Sequence, residues 1–151
     1  MADTALDAIL VDANLLVWAH HRQFLHHERA RQWLSDTMAS TALVGLPWPS
    51  ILAFVRVSTH HRALERPLDE STARAVVDGW LAQPAVRVPV PTERHAALFG
   101  DLLVRGRAAG NHSTDAHLAA LALEWGLVLV SADRDFARYP GLRWHDPTDS
   151  W

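Results

Sequence analysis

The chain has 151 residues, of which 49% are hydrophobic and 21% charged, with a net charge of −3. That length suits one domain with a sizeable core, and the charge excludes a protein that grips nucleic acid through a global basic field. With no cysteine there is neither a disulfide framework nor a thiolate metal site, and the absence of a leader pattern or a membrane-length apolar run makes a cytoplasmic location the expectation.

In chain order, Ala8 to Val11 is a short apolar run that stops at Asp12, as in a buried parallel strand with a carboxylate at its end. Asn14 follows, and a helix is expected from Leu15 to His20. A second helix, Leu25 to Met38, carries Ala30, Trp33 and Leu34 at helical spacing. Thr41 to Leu46 reads as a strand. Pro47 and Pro49 then punctuate before a third helix, Ile51 to Ala63. Asp69 is placed to cap a fourth helix, Glu70 to Ala82. Val86 to Val90 reads as a strand that Pro89 confines to an edge or cuts short. Thr92 opens a fifth helix, Glu93 to Arg107. Ser113 or Thr114 is expected to cap a sixth, apolar on nearly every side from Ala116 to Trp125. Gly126 suits the left-handed stop. Leu127 to Val130 reads as a strand covered on both faces, ending at Ser131 with Asp133 and Asp135 just beyond. Leu142 to Trp144 reads as a short edge strand.

Strands alternating with helices predict an α/β fold with a mainly parallel central sheet flanked by helices on both sides. Such sheets bind ligands beyond the carboxyl ends of their strands. Asp12 and Asp133 fall at two such ends, and Asp115 falls in the first turn of the helix that leads into one of them. Three carboxylates aimed at one point repel one another unless a divalent cation neutralises them. All-oxygen ligands select Mg²⁺ or Mn²⁺ over Zn²⁺. A cation so held activates water and stabilises charge on a phosphodiester, which is the chemistry of a metal-dependent nuclease.

Three stretches carry a family resemblance: VDANLL around Asp12, STDAHLAALALEWG around Asp115, and SADRDFARYPGLRW around Asp133. In their order and spacing they resemble the PIN-domain ribonucleases, above all the VapC-like toxins of type II toxin–antitoxin pairs, and the similarity extends through LPWPSILAFVRVSTHHR. The resemblance implies a PIN-like fold and a Mg²⁺-dependent endoribonuclease, with Mn²⁺ able to substitute. It also implies inhibition by a cognate antitoxin, a homodimer or a complex with that antitoxin, and transfer or ribosomal RNA as target. Residue by residue, Asp12, Asp115 and Asp133 match the family's metal-binding acids, and Asp135 a more variable acid nearby. Asn14 and Ser131 match side chains that orient the acids, and His117 stands where it can assist them. One match fails: the family's third-helix Glu falls on Ala53 or Phe54. That departure keeps a rival open, a non-catalytic PIN-like module that binds RNA or a partner.

Other features have plainer readings. The doublets His20-His21, His26-His27 and His60-His61 lack the i, i+4 spacing of a zinc helix, and surface positions are expected for most of them. Arg56, His60, His61, Arg62 and Arg66 make a local basic patch, an ordinary solvated helix by default and an RNA or partner surface as the sharper alternative. Trp18, Trp33, Trp80 and Trp125 are expected in the core.

Overall fold

The computed structural model describes residues 6–151. Five strands form a wholly parallel sheet: β1 (Ala8–Val11), β2 (Leu43–Gly45), β3 (Val86–Arg87), β4 (Val128–Val130) and β5 (Trp144–His145). Their spatial order is β3-β2-β1-β4-β5. The chain therefore builds outward from β1 to β3, crosses back, and builds outward the other way. The reversal leaves a crevice between the carboxyl ends of β1 and β4, where open α/β sheets place their ligands.

Six helices cover the sheet: α1 (Ala13–His20), α2 (His27–Ser40), α3 (Trp48–Ser58), α4 (Glu70–Leu81), α5 (His95–Arg105) and α6 (His112–Trp125). The period-two alternation of the strands sorts their side chains into two cores. Ile9, Val11, Val44, Leu46, Val86 and Val130 meet buried residues of α1 to α4 on one face. Leu10, Leu127 and Leu129 meet α5, α6, Phe136 and Tyr139 on the other. Because both faces are covered there, β1 and β4 read as unbroken apolar runs. Gly45 sits where Cβ would lie 2.9 Å from Pro89 Cγ and 3.0 Å from the Ile9 carbonyl, so the β2 crossing requires its bare backbone. Gly126 closes α6 at φ 66°, as its sequence position predicts.

The boundaries differ from the sequence reading in instructive ways. α6 begins at His112 after Asn111, with no side-chain cap, and the Ser113 hydroxyl donates back to the Gly110 carbonyl (2.8 Å). α2 starts at His27, leaving Leu25 exposed, and α3 starts at Trp48 with Pro49 in its first turn and ends at Ser58. α5 begins only at His95, because Thr92 is engaged elsewhere by Glu124. Pro89 does shorten β3, which lies at the sheet edge. Trp18, Trp33 and Trp80 pack against the first core, half-buried. Trp125 is 44% exposed; its indole N–H donates to the Val90 carbonyl and ties the end of α6 to the segment after β3. His21 and His27 are buried, against the surface expectation: each ring nitrogen that faces inward has a partner, Ser58 Oγ at 2.8 Å for His21 and the Trp18 carbonyl at 2.9 Å for His27.

Leu129, wholly buried at the centre of β4, and Leu52, 61% exposed on α3, give a direct contrast. Leu129→Ala is expected to cost about 3 kcal/mol through lost burial and a cavity, and Leu52→Ala about 0.5 kcal/mol or less. Chemical-denaturation midpoints of the two variants measure the difference.

Candidate active site

The crevice at the strand reversal is organised by Ser131, which is fully buried one residue past β4. Its backbone is fixed first: its N–H donates to the His145 carbonyl (3.1 Å), and its carbonyl accepts from the Trp144 indole (2.9 Å). Its hydroxyl then donates to Asp12 Oδ2 (2.7 Å) and accepts from Asn14 Nδ2 (3.1 Å) and from the Asp133 backbone N–H (3.0 Å). A hydroxyl has one proton and two lone pairs, so this set saturates it. Because the single proton goes to Asp12, Asn14 must present its amide nitrogen to Ser131. Its oxygen, Oδ1, is thereby turned elsewhere, buried and without a hydrogen-bond partner.

Asp12 ends β1 and caps α1, with Oδ1 accepting from the Ala13 N–H (2.8 Å). Its backbone is clamped as well. Its N–H donates to the Val130 carbonyl (3.0 Å), and the Ser50 hydroxyl, buried at the start of α3, donates to the Val11 carbonyl (2.7 Å). Asp133 caps a 3₁₀ turn, Arg134–Arg138, by accepting the Asp135 N–H (2.9 Å). Asp115 stands in the first turn of α6. The His112 ring one turn earlier places Nδ1 3.5 Å from Asp115 Oδ2 and 3.8 Å from Asp135 Oδ2. That nitrogen is buried and makes no hydrogen bond. The Tyr139 hydroxyl donates to the His112 carbonyl (3.0 Å) and anchors this turn from the far core.

Electrostatics tie the acids together. Burial pushes the Asp115 carboxyl up to about 6, and the neighbouring Asp12 and Asp133 charges push in the same direction. Burial also raises Asp12, against the lowering effect of its bonds from Ser131 and Ala13, with Asp133 adding to the rise. Burial, followed by the Asp115 charge, lifts the Tyr139 hydroxyl to about 12. The three acids thus share one field, although among the described residues no three Asp, Glu or His side chains are gathered tightly enough to enclose an ion unaided.

Asp12 and Asp115 line a cleft of about 820 Å³ whose other wall is α3, through Pro49, Leu52, Ala53 and Arg56. Ala53 faces this cleft. Phe54 is wholly buried against Trp80, with ring centroids 4.6 Å apart, so α3 offers the cleft no carboxylate. Arg56 lies on the cleft wall and also on a smaller groove with His60 and Arg62; all three are exposed, as is His61, whose ring stacks on His60. His117 does not join the carboxylates. It turns toward α5, where its Nδ1 lies 2.9 Å from His95 Nε2. That bond has no signal in the spacing of the sequence, and neither does the pairing of Asn14 with Ser131, 117 residues away.

The PIN-domain family model matches residues 9–142. Ribonuclease VapC37 of Mycobacterium tuberculosis is 39% identical over 91% of this chain and 96% of its own length. Ribonuclease VapC43 of the same species is 40% identical over 93% of this chain and 96% of its own. Among solved structures, VapBC2 from Rickettsia felis, bound to a promoter DNA fragment, superposes with a TM-score of 0.66 at 15% identity, covering 91% of this chain and 97% of that one. M. tuberculosis VapC20, described as a Sarcin-Ricin loop cleaving toxin, gives 0.64 at 17% identity, covering 90% and 99%. With the sheet order, the crevice acids and these relatives in agreement, the chain belongs to the PIN-domain family.

Proposed function

We propose that this protein is a metal-dependent endoribonuclease, the toxin of a type II toxin–antitoxin pair, built as one domain. The observation that supports it most is the placement of Asp12, Asp115 and Asp133 at the strand reversal, where burial first, and then the Asp12 and Asp133 charges, lift Asp115 to about 6. Carboxylates kept in such a field fit a hard divalent cation. The donor set is all oxygen, so Mg²⁺ suits the site and Mn²⁺ can replace it. Asp12, Asp115 and Asp133 would hold the ion, with Asp135 as a further acid, and Mg²⁺ characteristically fills the rest of its shell with water and phosphate oxygens. Bound there, the cation supplies an activated water and charge stabilisation for phosphodiester hydrolysis.

The chain's own residues do the positioning. Ser131 and the Ala13 N–H fix the Asp12 carboxylate, and Asn14 steadies Ser131. Arg56 on the opposite wall presents a planar fork to the RNA backbone, and His60, His61 and Arg62 extend that surface. The relatives known as VapC ribonucleases support the activity, and solved complexes such as VapBC2 support a cognate antitoxin as partner. Transfer or ribosomal RNA is the proposed substrate class and the cytoplasm the proposed site of action. Among the described residues no helix is long and apolar enough to cross a membrane. Ala53 favours a second reading, a non-catalytic binding module, since it leaves the α3 wall without an acid.

Asp12→Ala and Asp115→Asn are each expected to reduce divalent-dependent cleavage of a structured RNA by at least about a hundredfold, the scale of losing a main electrostatic contributor. Calorimetric titration of Mn²⁺ into the wild type, run in parallel, separates the two readings: binding without cleavage supports the module.

A second prediction concerns the metal-free protein. The folded Asp115 is raised from 3.8 to about 6, so between those values the folded state holds more protons than the unfolded one. Stability from this group is therefore greatest below about pH 4 and is lost as pH rises through about 6. The difference in melting temperature between wild type and Asp115→Asn should shift in favour of the variant across that window, and Mn²⁺ at pH 7.5 should restore the wild type alone. A pH-independent difference would contradict the raised Asp115 carboxyl.

A further inference from the structure

The loop after α3 is clamped in a way that the acidic cleft does not require. The stretch from Arg56 to Arg66, RVSTHHRALER, holds three arginines, two histidines and one glutamate. Leu64 is its buried anchor. The Leu68 N–H donates to the Ser58 carbonyl (2.7 Å) and closes the loop at its base. Gln23, just past α1, holds it from outside: Oε1 accepts from the Glu65 N–H (3.0 Å), and Nε2 donates to the Ala63 carbonyl (3.5 Å). The His21 ring, paired with the Ser58 hydroxyl, joins the same two elements (2.8 Å). Loops fixed over a rigid scaffold are where proteins place binding side chains.

What these clamps present to solvent is positive charge. Arg22 and Arg66 line a pocket of about 480 Å³ together with His20, His21, Gln23 and Glu65. Both arginines are exposed, and among the described residues neither they nor Arg56 and Arg62 make an ion pair. Glu28, whose carboxylate feels Arg22, is engaged by Arg31 (3.1 Å), and Glu65 is the single carboxylate on the pocket wall. Two guanidinium groups outweigh it. The arginines also form a track. Arg56 lines both the acidic cleft and a groove with Arg62 and Ala63, and Ala63 is the residue that Gln23 holds at the edge of the pocket. Helix α1 measures the distance covered. Asp12 caps it in the cleft and His20, its last residue, lines the pocket, so its 8 residues, at about 1.5 Å each, set the two sites about 12 Å apart. A stacked strand advances about 3.4 Å per nucleotide, so about three or four nucleotides cover that span.

We propose that the Arg22–Arg66 pocket is an exosite for the phosphate backbone of RNA, joined to the acidic cleft by Arg56 and Arg62, so that the protein grips its substrate at a second point remote from the scissile bond. The proposal rests on the ribonuclease reading and adds a length requirement to it: a very short strand fills the cleft alone, and a longer or folded one reaches both sites. Arginine suits the task because its planar fork takes phosphate oxygens two at a time. Backbone contacts carry no sequence information, so the exosite sets affinity and register and leaves the choice of bond to the cleft. An acidic protein surface would meet the same charge, but it would have no reason to follow the track into the cleft.

The test is fluorescence-anisotropy binding, in Ca²⁺ and across a salt series, of a mixed-sequence single-stranded RNA of about twelve nucleotides, long enough to span both sites. Arg22→Ala combined with Arg66→Ala removes two exposed guanidinium groups that the fold does not use. Each lost phosphate contact lowers the steepness of log affinity against log salt by about 0.7, so this variant should lose about 1.4 from the slope. Its affinity near physiological salt should fall about tenfold, the scale of charge-assisted bonds at a wet surface. Arg74→Ala combined with Arg94→Ala takes the same charge from residues that line neither groove and should leave the slope nearly unchanged. In Mg²⁺-dependent cleavage of the same RNA, the Arg22/Arg66 variant should raise KM and keep kcat, because uniform binding is lost while the reacting centre is untouched. A wild-type slope in that variant overturns the exosite and leaves the patch to an acidic protein partner. An equal loss in the Arg74/Arg94 control, or a loss confined to kcat, also overturns it. Absence of cleavage by the wild type, with the slope difference present, overturns the ribonuclease reading and leaves an RNA-binding track.

Discussion

A serine hydroxyl has one proton to give, and the crevice of this protein is arranged around where that proton goes. Ser131 gives it to Asp12, and both of its lone pairs are taken, by Asn14 and by the Asp133 backbone. The arrangement joins the end of β1, the first turn of α1 and the turn after β4 through one buried atom. It also settles the orientation of Asn14, whose carbonyl oxygen is left buried and without a hydrogen-bond partner. A buried polar atom without a partner is costly, and this one sits on the side chain that bonds Ser131, which in turn bonds Asp12.

The strand order makes this junction possible. β1 is laid down first and β4 last but one, yet they are neighbours, because the chain fills one side of the sheet before returning to the other. The crossover through α5 and α6 delivers Asp115 and β4 together. The central strands β1, β2 and β4 are largely buried along their length, which leaves the carboxyl ends for polar side chains such as Asp12 and Ser131. The same logic places Arg56 and Ala53 on the facing wall, since α3 starts directly after β2 and is pinned to β1 by Ser50.

Much of this was legible in the sequence because burial leaves a periodic trace. The apolar runs at Ala8 to Val11 and Leu127 to Val130 and the Gly126 stop announced their elements. The strand-end acids could be proposed from position alone. Boundaries were less legible where a long-range bond competes with a local preference. Thr92 has the composition of a helix opener but is held by Glu124, 32 residues later. Ser113 looks like a cap but bonds backward to Gly110. Trp125 looks like core but uses its indole N–H to hold the strand exit and leaves its ring half in solvent. His117 was expected beside Asp115; two residues along a helix turn a side chain to the opposite face, and the partner waiting there, His95, comes from another helix. Such pairings leave no periodicity to read.

The replacement at Ala53 bears on how the proposed site would divide its labour. In the cleft, the lining acids Asp12 and Asp115 lie on the β1 and α6 side, and α3 contributes apolar surface and the Arg56 guanidinium. A carboxylate on α3 would place negative charge on both walls and repel a phosphodiester from either side. With Ala53 there, the walls differ in sign. On the proposed reading, a cation held by the acids and the Arg56 fork opposite would both attract phosphate, from different directions, and so would orient the strand as well as bind it. On the proposed reading the α3 wall is therefore a positioning surface for RNA, and the chemistry rests on the three aspartates that Ser131, the strand ends and the first turn of α6 bring together.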